Sequence, residues 1–143
     1  MEAIIEIAAR HNLQVLEDAA QGMLAHNKGQ PVCSIGSLGA LDSHKTKNLT
    51  SGEGGALTVN HPDLAQRAEI IRKKGTNRNQ FLRGAVDNYT WQEIGSPFLP
   101  DEIVAAFLWA LLEEAKQITR DRLDVWARYH AQLEDLETAG VLR

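Results

Sequence analysis

The feature of this sequence that most restricts its fold is the alternation of helix-like and strand-like segments over the first 75 residues. Residues 2–11 place apolar side chains at helical spacing, and residues 13–16 form a short apolar run typical of a buried strand. Further predicted elements are strands at residues 37–41 and 56–59 and a helix from Pro62, capped by Asn60 or His61, to a stop signal at Gly75. This alternation predicts an α/β fold.

The rest of the chain divides into an irregular segment and a helical one. Residues 76–99 show no clean periodicity and are predicted to form a long functional loop or interface arm. From Asp101 a helical apolar pattern runs to Gly140, which is predicted to end it. One unbroken helix here would be roughly 55 Å long, so we predict a bend or break around residues 117–122.

The composition is typical of a single globular domain and argues against several classes of protein. Apolar residues make up 43% of the chain, and the net charge of -4 gives no reason to expect nucleic acid or an acidic membrane surface as a partner. The apolar run over residues 103–112 is too short to cross a bilayer, and residues 1–6 lack the basic start of a secretory signal. We therefore expect a cytoplasmic protein.

Metal and disulfide chemistry are not predicted. Cys33 is the single cysteine, which excludes an internal disulfide. The histidines lack the spacing of metal ligands; they are His11, His26, His44, His61 and His130. The sequence also contains neither a Walker loop nor a dinucleotide-binding fingerprint.

Two charged residues in distinctive local sequences indicate one particular chemistry. Asp18 follows the apolar run 13–16, so we expect it just past the carboxyl end of a strand, where open α/β sheets bind ligands. Lys47 begins a polar loop that leads into the glycine-rich residues 52–55. Pyridoxal phosphate requires a lysine amine for a Schiff base and an acidic partner for its pyridinium nitrogen. The two residues together therefore predict a site for this cofactor.

Each of these residues also has an ordinary explanation when it is taken alone. A lone aspartate such as Asp18 is more often a helix or turn cap, and a lysine is usually solvated at the surface. Lys45 lies two residues from Lys47 and competes with it for the role of cofactor lysine. The local sequences around Asp18 and Lys47, considered together, favour the cofactor site.

Three stretches of the sequence are similar to a known family. They are residues 15–22 (VLEDAAQG), residues 46–55 (TKNLTSGEGG) and residues 74–81 (KGTNRNQF), with Tyr89, Thr90 and Trp91 following. On these stretches the chain resembles the DegT/DnrJ/EryC1/StrS family of pyridoxal-phosphate sugar aminotransferases, and within it the branch that aminates dTDP-4-keto-6-deoxyglucose. The resemblance covers nearly the whole chain, but family members are far longer, so the chain matches their middle portion.

This resemblance implies a fold, a domain division and an activity. Residues 1–100 would be part of a fold-type I aminotransferase large domain that binds the cofactor, and residues 101–143 would form a long helix leading to a small domain. The implied reaction moves an amino group, from glutamate, to the 4-keto carbon of a dTDP-sugar in polysaccharide or lipopolysaccharide biosynthesis. Full-length relatives would be homodimers. Two alternatives remain: a truncated, catalytically inactive remnant, or a chain completed by another polypeptide.

The resemblance also implies roles for individual residues. Lys47 would hold the cofactor and then act as general base and acid, and a lysine here separates the chain from related dehydratases, which carry histidine. Asp18 would pair with the pyridinium nitrogen of the cofactor. Gln21 would hydrogen-bond the phenolic oxygen of the cofactor ring; its ordinary reading is an exposed polar residue on a turn.

One position departs from the family pattern. Relatives carry Ser-Phe-His shortly before the lysine, and that serine helps to bind the cofactor phosphate. Here the run is Asp42, Ser43 and His44, and a carboxylate repels a phosphate. Either Ser43 takes over the phosphate contact after a local shift, or phosphate binding is weakened.

A group of five basic residues has two readings that the sequence does not separate. Its members are Arg72, Lys73, Lys74, Arg78 and Arg83. They can meet the diphosphate of a nucleotide sugar, since guanidinium and ammonium groups bind phosphates well. They can equally form a solvated helix end and loop.

Overall fold

A three-stranded sheet organises the structure, a computed structural model that describes residues 1–141. In chain order the elements are α1 (Glu2–Arg10), β1 (Leu16–Asp18), β2 (His26–Asn27), β3 (Gln30–Pro31), β4 (Leu38–Asp42), β5 (Gly55–Val59), α2 (Pro62–Arg72), α3 (Arg78–Leu82), α4 (Glu102–Glu113) and α5 (Ala115–Thr138). Strands and helices alternate along the first half of the chain, which confirms the α/β prediction.

The order of strands in the sheet is β1-β4-β5. β1 and β4 are parallel, with Asp18 opposite Ala40, and β4 and β5 are antiparallel, with Asp42 opposite Gly55. Asp18 and Asp42 are the last residues of their strands. Because parallel strands end at the same edge of a sheet, the two carboxylates belong to one edge.

The predicted strand at residues 13–16 was misplaced. β1 starts at Leu16, so Asp18 is the last residue of the strand rather than a residue beyond it. Leu16 is 58% exposed, so the strand is also not buried within the described residues. The pairing of Leu16 with Leu38 on β4 sets this register, and that pairing cannot be read from the local apolar run.

The connection between the parallel strands β1 and β4 contains a hairpin that the sequence did not indicate. β2 and β3 are joined by Lys28 and Gly29, which both have positive φ values, 52° and 83°. This is the conformation of a two-residue type I′ turn. Lys28 also forms an ion pair with Glu2 at 2.8 Å, which ties the tip of the hairpin to α1.

The prediction of a helix from Pro62 is confirmed, with His61 at its N-cap. Asn60, the other predicted cap, has a different role, because its side-chain amide donates to the carbonyl oxygens of Cys33 and Gly36, both at 2.9 Å. Asn60 therefore fastens the end of β5 to the segment that precedes β4.

The segment over residues 76–99 is mostly irregular, as predicted, but contains the short helix α3. Isolated antiparallel bridges join the residues just after α2 to the later part of this segment, Lys73 to Pro97 and Thr76 to Trp91. A Cβ on Gly75 would overlap the carbonyl oxygen of Glu93, so the backbones meet where no side chain fits.

The C-terminal region consists of two helices separated at Glu114. The interruption lies three residues before the predicted range 117–122, and neither glycine nor proline causes it. The carboxylate of Asp101 caps α4 by accepting from the backbone N–H of Val104 at 2.9 Å. The last two residues of the predicted segment 101–143 lie outside the described residues.

Few side chains are buried in the part of the chain that the structure describes. Leu49 and Cys33 are each 2% exposed, whereas Ile103, Trp109 and Trp126 on α4 and α5 are each more than 60% exposed. No helix within residues 1–141 combines the length and the apolar character needed to cross a membrane.

Candidate active site

The edge of the sheet at which β1 and β4 end carries the residues singled out from the sequence. Asp18 ends β1, and Lys47 lies in the loop that follows β4. The two loops are in contact, because the side-chain amide of Asn48 donates to the carbonyl oxygen of Gln21 at 3.3 Å. The structure thus brings the segments of Asp18, Gln21 and Lys47 together at one edge.

Asp18 is exposed and already takes part in a local turn. Its Oδ1 accepts a hydrogen bond from the backbone N–H of Ala20 at 3.1 Å. This is the turn cap that a lone aspartate at this position would form. A capping carboxylate can still present its second oxygen to a ligand, so the contact with Ala20 is compatible with a cofactor role.

Lys47 is more sheltered than the competing lysine. Its side chain is 17% exposed, whereas Lys45 belongs to the exposed residues. The amine Nζ of Lys47 lies 3.4 Å from Oδ2 of Asp42. A partly enclosed amine in a loop that follows a strand is better suited to hold a cofactor than a freely solvated one.

Asp42 is charged and held at both of its oxygens. Oδ1 accepts from the backbone N–H of His44 at 2.8 Å, and Oδ2 faces Lys47. The hydrogen bond from His44 is the main cause that lowers the pKa of the Asp42 carboxyl; burial opposes it, and the ammonium of Lys47 lowers the pKa further. The position at which relatives would place a serine therefore carries a negative charge.

Ser43, the predicted substitute for that serine, points into the protein. Its side chain is fully buried, and its hydroxyl is hydrogen-bonded to the hydroxyl of Ser51 at 3.0 Å. The loop closes around it, because the Ser43 backbone bonds to Ser51 and to Gly54, at 2.9 Å and 3.1 Å. Ser43 would have to leave this pocket to reach a phosphate, so its role stays a prediction.

The site fits one end of pyridoxal phosphate better than the other. The amine of Lys47 and the carboxylate of Asp18 are the two groups that the aldehyde and the pyridinium nitrogen require. At the phosphate end the hydroxyl of Ser43 is buried and the nearby carboxylate of Asp42 is charged. The residues thus suit the ring of the cofactor and offer a weak hold on its phosphate.

The basic residues form a second feature, beside the segment 76–99. Four of the five line a cavity of about 480 Å³. Its full lining is Arg72, Lys73, Lys74, Thr76, Arg78, Tyr89, Thr90, Trp91, Pro97 and Leu99. The guanidinium carbon of Arg78 lies 5.9 Å from the centre of the Tyr89 ring, a cation–π distance. Arg83, the fifth, pairs instead with Glu69 on α2.

Glu17 is an important residue that the sequence reasoning missed. Its carboxylate accepts three backbone N–H groups, from Cys33 at 3.0 Å, Ile35 at 2.8 Å and Gly36 at 2.7 Å. Burial raises the pKa of Glu17, but the hydrogen bonds from these three N–H groups together outweigh it, so the pKa is lowered. The available signal was an ionisable residue directly after the apolar run 13–16 and directly before Asp18.

Neither thiol nor metal chemistry is indicated at this edge. Burial, and then the negative charges of Glu17 and Asp18, raises the pKa of the Cys33 thiol, which makes Cys33 a poor nucleophile at neutral pH. Within residues 1–141 no group of three or more His, Cys, Asp or Glu side chains is arranged to hold a metal ion. The expectation of a metal-free site stays a prediction.

Comparison with known proteins gives a consistent result over the whole sequence. The model of the DegT/DnrJ/EryC1/StrS aminotransferase family matches residues 1–143. GDP-perosamine synthase from Caulobacter vibrioides is 33% identical over 128 residues, which cover 88% of this chain and 33% of that protein. The chain spans about a third of the length of the curated relatives it matches.

Solved structures agree with the family match. PseC from Helicobacter pylori, an aminotransferase involved in the biosynthesis of pseudoaminic acid, superposes with a TM-score of 0.81 at 22% identity, over 94% of this chain and 35% of PseC, and shows the shared fold. DesV from S. venezuelae, solved with a ketimine intermediate, superposes with a TM-score of 0.73 at 31% identity, over 93% of this chain and 34% of DesV. The described residues thus have the fold of one part of these larger enzymes.

Proposed function

We propose, since the chain belongs to the DegT/DnrJ/EryC1/StrS aminotransferase family, that it is part of an enzyme that transfers an amino group to a nucleotide-linked keto sugar. The family resemblance drawn from three short stretches is confirmed, as is a partial α/β fold of the fold-type I aminotransferases. Enzymes of this family depend on pyridoxal phosphate. The observation that carries the proposal is the meeting of the Asp18, Gln21 and Lys47 segments at one edge of the sheet.

The proposed roles follow from the chemistry of the side chains. Lys47 would hold the cofactor through Nζ and would move a proton at the substrate carbon as general base and acid. Asp18 would keep the pyridinium nitrogen protonated, and Gln21 would donate a hydrogen bond to the phenolic oxygen of the ring. Ser43 is the proposed phosphate contact. When bound, pyridoxal phosphate supplies the electron sink that makes the proton at that carbon removable.

The substrate we propose is dTDP-4-keto-6-deoxyglucose, with glutamate as the amino donor. Two observations support a nucleotide sugar. One relative is named for GDP-perosamine, a nucleotide-linked sugar. The cavity beside residues 76–99 combines basic side chains with the aromatic rings of Tyr89 and Trp91, which suits a diphosphate attached to a base.

The setting we propose is the cytoplasm, in the synthesis of a polysaccharide such as lipopolysaccharide, with the complete enzyme acting as a homodimer. Residues 1–100 would belong to the cofactor-binding large domain. Residues 101–143 would lead to the small domain, and the exposed apolar side chains on α4 and α5 support an arrangement in which further protein covers these helices.

One experiment tests the cofactor role of Lys47 directly. The chain is incubated with pyridoxal phosphate and treated with borohydride, and the modified lysine is located by mass spectrometry. We expect modification at Lys47, its loss in Lys47→Ala, and its retention in the matched control Lys45→Ala. Modification at Lys45, or spread evenly over surface lysines, would contradict the proposal.

The negative charge of Asp42 favours one alternative, a chain that keeps the fold without catalysis. Amino transfer from glutamate to dTDP-4-keto-6-deoxyglucose separates the two cases. Turnover by the cofactor-loaded chain supports the enzyme. Modification of Lys47 without turnover supports the inactive remnant. If turnover then appears when a second polypeptide is added, the result supports a partner that completes the site.

A further inference from the structure

The carboxylate of Asp42 makes a different contact with each of its two oxygens. Oδ1 accepts the backbone N–H of His44 at 2.8 Å, which begins the turn after β4. Oδ2 lies 3.4 Å from Nζ of Lys47. The turn is completed by the backbone N–H of Lys47, which donates to the carbonyl oxygen of His44 at 2.9 Å. One side chain thus fixes both the backbone before Lys47 and the amine at its tip.

The surroundings make this a sheltered ion pair. The side chain of Lys47 is 17% exposed and that of Asp42 is 32% exposed. Of the neighbouring ionisable groups, His44 faces Glu53, with Nε2 and Oε1 3.7 Å apart, and Asp18 on the adjacent strand bonds to its own turn. A pair partly removed from water attracts more strongly than one at the open surface.

We propose that Asp42 is a positioning residue that holds Nζ of Lys47 in an ion pair, so that Lys47 bonds to a carbonyl compound only after this ion pair has opened. The inference deepens the proposed function and rests on it only for the identity of the carbonyl compound. Bond formation uses the nitrogen lone pair, which an ammonium lacks. Nζ must first release a proton to solvent; the C=N bond then forms as the carbonyl oxygen departs as water.

The charge of Asp42 should also weaken the binding of the cofactor phosphate. A carboxylate at the end of β4 repels the phosphate of an incoming pyridoxal phosphate. Neutralising Asp42 should therefore free the amine and weaken this repulsion together. The buried Ser43 hydroxyl does not oppose either effect, since it is occupied by Ser51.

The variant Asp42→Asn removes the negative charge of the side chain but keeps its size and shape. The amide oxygen of asparagine can still accept the His44 N–H, so the turn is kept while the charge facing Lys47 is removed. The measurement is competitive acetylation with trace acetic anhydride at neutral pH, with each lysine quantified by mass spectrometry. Lys45, exposed and two residues away, is the internal control.

We expect the ratio of Lys47 to Lys45 acetylation at neutral pH to rise about twofold to fivefold in Asp42→Asn, because a partly exposed ion pair is lost. Asp42→Glu keeps the charge and should leave the ratio near that of the unchanged protein. Asp42→Ser, neutral and able to accept the His44 N–H, should behave as asparagine does and serves if Asp42→Asn does not fold. An unchanged ratio in the folded neutral variant overturns the inference, as does an equal rise in Asp42→Glu.

The acetylation needs no cofactor, so its outcome is independent of the proposed function. A separate titration with pyridoxal phosphate should show binding several-fold tighter in Asp42→Asn than in the unchanged chain. If no variant binds the cofactor at Lys47 while the acetylation ratio rises, the ion-pair inference stands and the proposed function fails. If the cofactor binds at Lys47 while the ratio does not change, the proposed function stands and this inference fails.

Discussion

The carboxylate of Glu17 and the backbone amide of Gly36 are joined by a hydrogen bond of 2.7 Å. Ile35 and Cys33 donate to the same carboxylate. Parallel strands are usually connected through a helix, but the connection from β1 to β4 contains only the short hairpin β2–β3. Glu17 therefore fastens the end of this connection to the sheet.

Replacing Glu17 with glutamine should destabilise the fold. The amide can still accept at its oxygen, but its NH2 group then opposes one of the three backbone N–H groups. We expect a loss of about 1–3 kcal/mol in the free energy of unfolding at neutral pH, measured by urea denaturation. Glu6→Gln, on the exposed surface of α1, is the matched control and should change little. Equal losses in both variants would contradict this role for Glu17.

The same carboxylate should make stability depend on pH. The pKa of Glu17 is lowered in the folded state, so its contribution is present above the unfolded value and is lost as the pH falls through the folded value. The unfolding free energies of the unchanged protein and Glu17→Gln should therefore converge below about pH 4. A difference that stays constant down to acid pH would show that charge is not the cause.

Arg78 should be needed for nucleotide binding by the basic cavity. Its guanidinium lines the cavity and lies beside Tyr89, whereas Arg83 is paired with Glu69. Calorimetric titration with dTDP should show affinity about tenfold lower in Arg78→Ala, a change of roughly 1.4 kcal/mol, and little change in Arg83→Ala. Similar losses in both variants would indicate a diffuse charge effect and a solvated basic surface.

Gly75→Ala and Gly84→Ala form a matched pair that tests the close approach of backbones. Both glycines have a φ of 72°, so an alanine costs about 1–2 kcal/mol of backbone strain at either position. Only at Gly75 would the new Cβ overlap a neighbour, the carbonyl oxygen of Glu93. Thermal unfolding should show a clearly larger loss for Gly75→Ala, and equal losses would contradict the contact.

Local sequence was sufficient to predict single helices and strands whose own residues determine their structure. The helical spacing in residues 2–11 predicted α1 almost to the residue, and the alternation at residues 56–59 predicted β5. Local patterns determine this helix and this strand because each depends on residues that are neighbours along the chain.

Features that depend on distant pairing were not predictable in the same way. The register of β1 with β4 places this strand at Leu16–Asp18 rather than at the predicted residues 13–16. The hairpin β2–β3 was missed because its four strand residues show no strand-like alternation. The ion pair of Asp42 with Lys47 depends on the shape of the intervening turn. The departure at Asp42 was visible in the sequence, but the group that its charge would face was not.

The backbone bridges that join Lys73 to Pro97 and Thr76 to Trp91 have a consequence for protein engineering. They set the spacing of the cavity walls through the main chain, so an incoming molecule meets a slot whose width is already decided. The exposed side chains of Arg72 and Trp91 line the same cavity and remain available for redesign. A change in which molecules enter is therefore best sought by altering these side chains rather than the bridged backbone.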